Sequence, residues 1–283
     1  MNNRFEGYYF KAQGEDKTLA VIAARHGSAG SESCSVQIIS DSGVWSAEYP
    51  AGAYKSPRRG FGVVLGENYF GRKGMSLDIV RQDLQVKGRV KFGDFAPIKY
   101  DIMGPFSVVP FMECRHTVVS MRHRLDGQVS INGEVYSFNN AVGYIEGDRG
   151  TSFPSEYAWT QCCFEEGSLM LSAAHIPFGP VSFTGVIGVI MLGGREYRIA
   201  TYLGAKAVKI CGGEVVVRQG GSELTVRLIE KHARPLAAPV QGSMVRTIHE
   251  SASCRAYYRF VRHGVTLLEF ESDRATFEYE FPE

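Results

Sequence analysis

The densest run of chemically capable side chains lies between Asn139 and Gln161, where the carboxylates of Glu146 and Asp148 stand among Tyr144, Phe153, Tyr157, Trp159 and Gln161. If Tyr144 to Asp148 is extended, alternation turns Tyr144, Glu146 and Asp148 to one face, and Tyr157, Trp159 and Gln161 can do likewise on the next strand. Two acids would then stand beside two or three aromatic rings, a setting suited to general acid–base work. The same residues also read as a glycine-rich turn with a solvated acidic edge, and spacing alone leaves the two readings level.

Other catalytic signatures are missing. The sequence has no GxSxG elbow, P-loop, GxGxxG after a strand, HExxH or EF-hand loop, which disfavours the usual hydrolases and nucleotide enzymes. His116 and His123 lie in a polar stretch, Glu113 to His123, at a spacing that puts them on opposite faces of a strand, so no shared metal is expected. Six cysteines are scattered without CxxC spacing and read as free thiols in a reducing compartment, the neighbours Cys162 and Cys163 included.

The elements that must position these groups read as strands. Glycine is abundant, at 32 of 283 residues, aromatics make up 12%, and period-2 apolar patterns recur where helical stripes do not. Paired glycines at Gly193-Gly194, Gly212-Gly213 and Gly220-Gly221 punctuate apolar runs over Val186–Leu192, Glu196–Ile210 and Val215–Val217, the pattern of an antiparallel meander. Asn132-Gly133 and His263-Gly264 mark further hairpins. Short strands are expected at Tyr8–Phe10, Leu19–Ala23, Ser35–Ile39, Phe61–Leu65, Leu77–Val80 and Leu84–Phe92. About twenty short strands exceed what one open sheet holds before it curls. The expectation is an all-β protein of two β-rich halves, residues 1–140 and 141–283, or one continuous domain. A small barrel of this kind can hold an apolar molecule in its mouth, with Phe5, Tyr8, Tyr9, Phe10, Phe106 and Phe111 available as lining.

Lys plus Arg number 31 against 30 Asp plus Glu, a net charge of +1, which implies no nucleic-acid partner. The longest apolar run, Phe183 to Leu192, is far shorter than the ~20 residues of a membrane span, and Arg4 and Glu6 interrupt the start where a signal peptide would be apolar. A cytoplasmic protein is expected, with exposed barrel edges that would allow a homodimer.

The Gly143 to Gln161 block resembles the tocopherol cyclase family, whose characteristic form is G-Y-x-E-K-[ND]-W-G-x-x-F-P-x-x-[YW]-x-W-x-Q. Gly143, Tyr144, Glu146, Asp148, Gly150, Phe153, Pro154, Tyr157, Trp159 and Gln161 match it. The likeness extends to Phe5–Lys11, Tyr100–Phe106, Met112–His116 and Ala238–Gly242, and looks most like bacterial members. Two positions depart from the pattern: Gly147 stands where the family has Lys, and Arg149 where it has Trp.

The resemblance implies a calycin-like, lipocalin-related β-barrel arrangement. It also implies cofactor-free chemistry of the intramolecular lyase or isomerase type: an alkene of a prenylated quinol, or of another isoprenoid lipid, is protonated and the cation is trapped by a phenolic oxygen. A carboxylic acid kept neutral in a dry pocket would supply the proton, and aromatic faces would steady the cation. On this footing Glu146 and then Asp148 are the candidate acids, and Tyr144, Phe153, Tyr157 and Trp159 the wall. His116 and Gln161 would orient the hydroxyl or the acid, and Arg115 or Arg246 would hold a polar headgroup. The rival expectation is a non-catalytic carrier of hydrophobic molecules, since such barrels often only bind, and the departures at Gly147 and Arg149 lean towards it.

Overall fold

The computed structural model describes residues 4–28, 31–57, 60–109, 112–178, 181–230, 234–250 and 252–282; Phe111 lies outside them. The chain is antiparallel β throughout, and among the described residues there is no α-helix. It divides into two compact units. The first comprises Met1–Pro97, Cys114–Ser152 and Ala237–Arg246, and the second Ile98–Glu113, Phe153–Leu236 and Thr247–Glu283.

The first sheet contains β1 (Arg4–Gln13), β2 (Thr18–Ser28), β3 (Ser31–Ser40), β4 (Val44–Pro50), β5 (Tyr54–Lys55), β6 (Gly62–Leu65), β7 (Asn68–Gly71), β8 (Gly74–Val80), β9 (Gln85–Phe92), β10 (Cys114–Ile131) and β11 (Glu134–Gly150). Their order is β4-β3-β2-β1-β11-β10-β9-β8-β7-β6-β5. Neighbours are connected by short links except at β9 and β10, which are joined by residues 93–113, and at β1 and β11, the first and last strands, which pair within the sheet. The outermost strands, β4 and β5, are separated in the chain by the turn Ala51–Ala53 alone, so the sheet rolls until its edges meet. At that seam Gly66 N–H donates to Ala53 O (3.3 Å) and the Cys34 thiol to Pro50 O (3.1 Å).

The second sheet repeats this plan with β12 (Tyr157–Phe164), β13 (Gly167–Phe178), β14 (Val181–Leu192), β15 (Arg195–Ala200), β16 (Lys206–Cys211), β17 (Glu214–Gln219) and β18 (Ser222–Glu230). After β19 (Arg234–Val240) and β20 (Ser243–Glu250), which form a separate two-stranded sheet, β21 (Cys254–Arg262) and β22 (Val265–Tyr279) complete it. The order is β15-β14-β13-β12-β22-β21-β18-β17-β16, again with first and last strands paired centrally and consecutive strands at the edges. Gln219 bridges that seam: its side chain accepts from Ala200 N–H (2.9 Å) and donates to Arg198 O (3.0 Å). These two rolled meanders are the all-β arrangement that the hairpin signals point to, and the lipocalin-like one that the resemblance implies.

Each barrel encloses a cluster of buried hydrophobic side chains. In the first, Phe10 stacks on Phe70 at 5.0 Å between centroids, among Leu19, Val21, Ile38, Leu65, Val90, Phe138 and Ile145. In the second, Tyr258 and Phe260 pack with Leu171, Ile190, Val217, Leu224 and Phe277.

The expected run Glu196–Ile210 is two strands, not one. Gly204 takes φ +86 after the turn Thr201–Leu203, where the chain passes from β15 to β16. The expected hairpin turns at Asn132-Gly133 and His263-Gly264 are present, all four residues having positive φ.

Between β9 and β10 the stretch Ile98–Glu113 joins the second unit. Arg198 clamps it, donating to the carbonyls of Tyr100 and Asp101 (2.8 Å each) and to Tyr202 Oη (3.0 Å), beneath the Tyr100 ring at 3.6 Å. Its counter-ion is Glu196 at 3.0 Å, and both side chains are only 5% exposed. Arg198→Leu should therefore lower the second unit's stability by about 2–4 kcal/mol, because it strands a desolvated carboxylate and two carbonyls. Urea unfolding measures this, and a loss under about 1 kcal/mol would mean that other contacts hold the segment.

Candidate active site

β11 is a central strand, with β1 on one side and β10 on the other. Across from β1 the register sets Tyr9 against Glu146, Lys11 against Tyr144 and Gly7 against Asp148. Ile145 belongs to the barrel core, so alternation turns Tyr144, Glu146 and Asp148 to the opposite face of the sheet. The acids thus do not look into the barrel's mouth. Of the aromatics expected to line that mouth, Phe10 lies in the core with Tyr8 packed against it, whereas Phe5 and Tyr9 alternate to the acid-bearing face.

A slip in β10 brings His116 to this face. Counted back from the Asn132-Gly133 turn without irregularity, His116 would stand opposite Arg149 and point the other way. Register shifts between Val118 and Ser120, Ser120 and His123, and Leu125 and Gly127 move the ladder by one residue, so that His116 faces Asp148 and Val118 faces Glu146.

The three side chains form one cluster. His116 Nδ1 lies 2.9 Å from Asp148 Oδ1, in hydrogen-bond geometry. Its Nε2 lies 3.0 Å from Glu146 Oε2, close enough for charge attraction but outside hydrogen-bond alignment. Tyr144 donates its hydroxyl to the same Oε2 at 2.6 Å, and the Cys114 thiol reaches Asp148 Oδ1 at 3.5 Å. Side-chain exposure rises along the row, from 6% at Glu146 and 10% at His116 to 22% at Asp148.

Burial sets the proton inventory. It pushes the Glu146 carboxyl above its ordinary value, against the opposing pull of His116. For His116, burial alone would lower the pKa, but the carboxylates of Glu146 and Asp148 outweigh it and hold the imidazole well above its usual range. Both shifts favour the protonated forms of Glu146 and His116. Both contacts to Glu146 fall on Oε2.

The departures at Gly147 and Arg149 lie off this face. A Cβ on Gly147 would stand 2.8 Å from Tyr8 Cδ1, on the core side, and Arg149 is exposed, opposite Glu6 on β1 and Arg115 on β10. Arg115, neighbour to His116 in the strand, likewise alternates away from the cluster. Arg246 is half-buried on β20.

The remaining candidates belong to the second unit. Thr151 to Glu156 leads out of β11, and β12 pairs with β13 and β22, so Tyr157, Trp159 and Gln161 are not on the strand beside the acids as the spacing suggests. Tyr157 donates its hydroxyl to Glu278, the Phe153 ring meets Tyr157 edge-on at 6.3 Å, and Gln161 Nε2 lies 3.3 Å from Cys163 Sγ. Trp159 is buried, directly opposite Glu278. Glu278, Lys11 and Cys114 were not singled out by the sequence, although the quoted Phe5–Lys11 and Met112–His116 blocks contain the last two; Tyr9 was expected only as barrel lining.

His116, Glu146 and Asp148 each offer a ligand atom within 4.8 Å of the others and could hold a metal ion. Both ring nitrogens already face a carboxylate, so a cation would have to displace one of those contacts. His123 takes no part. It lies between Phe92 and Phe95, 4.9 Å from each ring, with Nδ1 3.1 Å from Ser120 Oγ, and burial lowers its pKa to about 4. The room for its ring comes from Gly143, where a Cβ would stand 2.5 Å from Nε2.

Residues 46–176 match the family model described as tocopherol cyclase-like, in line with the resemblance carried by the Gly143 to Gln161 block. Among curated proteins, none matches the sequence. Solved structures similar to the whole chain include a protein assigned as AttH from Nitrosomonas europaea (10% identity, TM-score 0.58, covering 100% of this chain and 94% of that one). CghA crystallised with Sch210972 is similar at 10% identity (TM-score 0.60, covering 99% and 89%). So is kievitone hydratase from Nectria haematococca at 10% identity (TM-score 0.54, covering 99% and 89%). At these identities the likeness is one of fold.

The two buried histidines should shape stability in opposite directions. The folded pKa of His123 is depressed from 6.5 to about 4, so its contribution is present above about pH 6.5 and lost towards pH 4, to the extent of about 3 kcal/mol. That of His116 is raised, so its contribution is complete below about pH 6.5 and lost as the pH climbs through the folded value. Urea midpoints measured against pH should show a flattened acid limb in His123→Phe and a flattened alkaline limb in His116→Gln. An acid limb unchanged in His123→Phe would exclude a buried neutral imidazole.

Proposed function

We propose that this tocopherol cyclase-like chain closes an oxygen ring on a prenylated quinol or related isoprenoid lipid, with Glu146 as the proton donor. The observation that carries the reading is a buried carboxyl raised by desolvation and fixed by Tyr144 and His116 on a sheet face away from the packed core. Protonating a trisubstituted alkene needs an acid that still holds its proton near neutral pH, and burial is how proteins make one.

In the proposed step, the proton on Glu146 forms a C–H bond with one alkene carbon and leaves a tertiary cation at the other. The phenolic oxygen attacks that cation, the C–O bond closes the ring, and the phenolic proton leaves to a carboxylate of the cluster. Proton and charge balance without any redox change. Asp148, the most exposed member, is the end at which the lost proton can be collected, and His116, with one nitrogen towards each carboxylate, is placed to return it to Glu146. Aromatic faces, Tyr9 opposite Glu146 among them, would steady the cation.

The carrier reading rests on barrels of this kind often only binding, and the departures at Gly147 and Arg149 that leaned towards it lie off the acid-bearing face. Turnover separates the two readings. In D2O the wild-type protein should convert a prenylated quinol to a ring-closed product with one non-exchangeable deuterium on the former alkene. Glu146→Gln should cut the rate by at least about 10²-fold while binding stays within a few-fold. Binding without product from either protein would establish a carrier.

A further inference from the structure

One atom of the acidic cluster is left over by its hydrogen bonding. His116 is 8% exposed, and its Nε2 is a buried nitrogen with no hydrogen-bond partner among the described residues. A buried polar atom left that way is unfavourable until something occupies it. Nδ1 is engaged with Asp148 Oδ1 at 2.9 Å, whereas Nε2 stands beside Glu146 Oε2 at 3.0 Å, out of alignment. Of the two contacts that a cation could displace, the one at Nε2 is therefore not a hydrogen bond.

The geometry there suits a metal ion. Two ligands at right angles around an ion with bonds of about 2.1 Å stand about 3.0 Å apart, which is the separation of Nε2 and Oε2. Asp148 on Nδ1 fixes the tautomer that leaves Nε2 free to coordinate, the part an outer carboxylate plays for most metal-bound histidines. One ligand atom from each of the three residues lies within 4.8 Å of the others, so a small inward movement lets Asp148 add an oxygen of its own. Two carboxylates, a neutral imidazole and a divalent ion sum to no net charge, as a site with little water requires. An imidazole nitrogen beside carboxylate oxygens suits zinc and its transition-metal neighbours better than magnesium or calcium, which take oxygen. Asp148, at 22% the most exposed of the three side chains, is the side from which an ion enters.

We propose that His116 Nε2 and Glu146, backed by Asp148, form a binding site for a divalent transition-metal ion of the zinc type. The ion and the proton are alternative occupants of Glu146. The site stands on its geometry alone; only the consequence that a bound ion stops ring closure rests on the proposed function.

Calorimetric titration of the metal-stripped, full-length protein with Zn2+ tests the site. The wild type should take up one equivalent with a Kd of about 10 µM or below, and Mg2+ should give no measurable binding. His116→Gln and Glu146→Gln should each weaken Zn2+ at least about 30-fold, and Asp148→Asn at least about ten-fold. Thermal melts check that each variant folds. Asp148 is the most exposed member, so Asp148→Asn decides the matter should the other two melt early. An ion held elsewhere, on the chain's other histidines for example, would bind the variants as it binds the wild type. That result, or no uptake by the wild type below about 1 mM, would overturn the inference. With the site filled, turnover of a prenylated quinol should stop and return when the ion is chelated. Turnover that survives saturation counts against Glu146 as the donor and leaves the site standing, and a protein that binds Zn2+ but never turns over fails the proposed function alone.

Discussion

The imidazole of His116, held between the carboxylates of Glu146 and Asp148, is the contact that lets three ionisable groups share one largely buried patch of sheet. Removing any member leaves an uncompensated charge or an orphaned donor. The cost explains the surroundings: a phenol fixed on Glu146, a thiol on Asp148, and a bulged β10 that turns His116 towards them. The chemistry proposed for the protein and part of its stability therefore rest on the same few contacts.

Much of this was legible in the sequence. Period-2 alternation alone puts Tyr144, Glu146 and Asp148 on a common face, and the Gly-Gly and Asn-Gly pairs mark where strands reverse. What alternation cannot say is which face meets the core. Ile145 and Tyr144 are both apolar enough to be inside, and both are fully buried, so only the packing of Ile145 with Phe138 and its neighbours decides the matter. Likewise, His116 reaches Asp148 through irregularities in β10 that no residue pattern marks, and a ladder shifted by one would aim it elsewhere.

The aromatic half of the motif lies on a strand that does not pair with β11, for another reason. Trp159 and Gln161 follow the acids closely in the chain, and proximity in sequence suggests a hairpin. The first barrel instead completes itself by pairing β11 with β1, a partner from the opposite end of that unit, so the chain leaves to begin a new sheet. Glu278 escaped notice because Phe277, Glu278, Tyr279 and Glu280 read as an ordinary amphipathic strand near the C-terminus. Its correspondence to Glu146 emerges only when the two strand orders are laid side by side.

The seams have a bearing on how the molecule can be altered. In each barrel the strand pair that bears the acid lies three strands in from the nearer unpaired edge, while the edges are tied by a few residues around Ala51–Ala53 or Thr201–Leu203. Breaking the covalent chain at either tie would sever no rung of any ladder. Evolution, or an engineer grafting extra sequence, therefore has two permissive sites for insertion that leave the acid-bearing strands undisturbed.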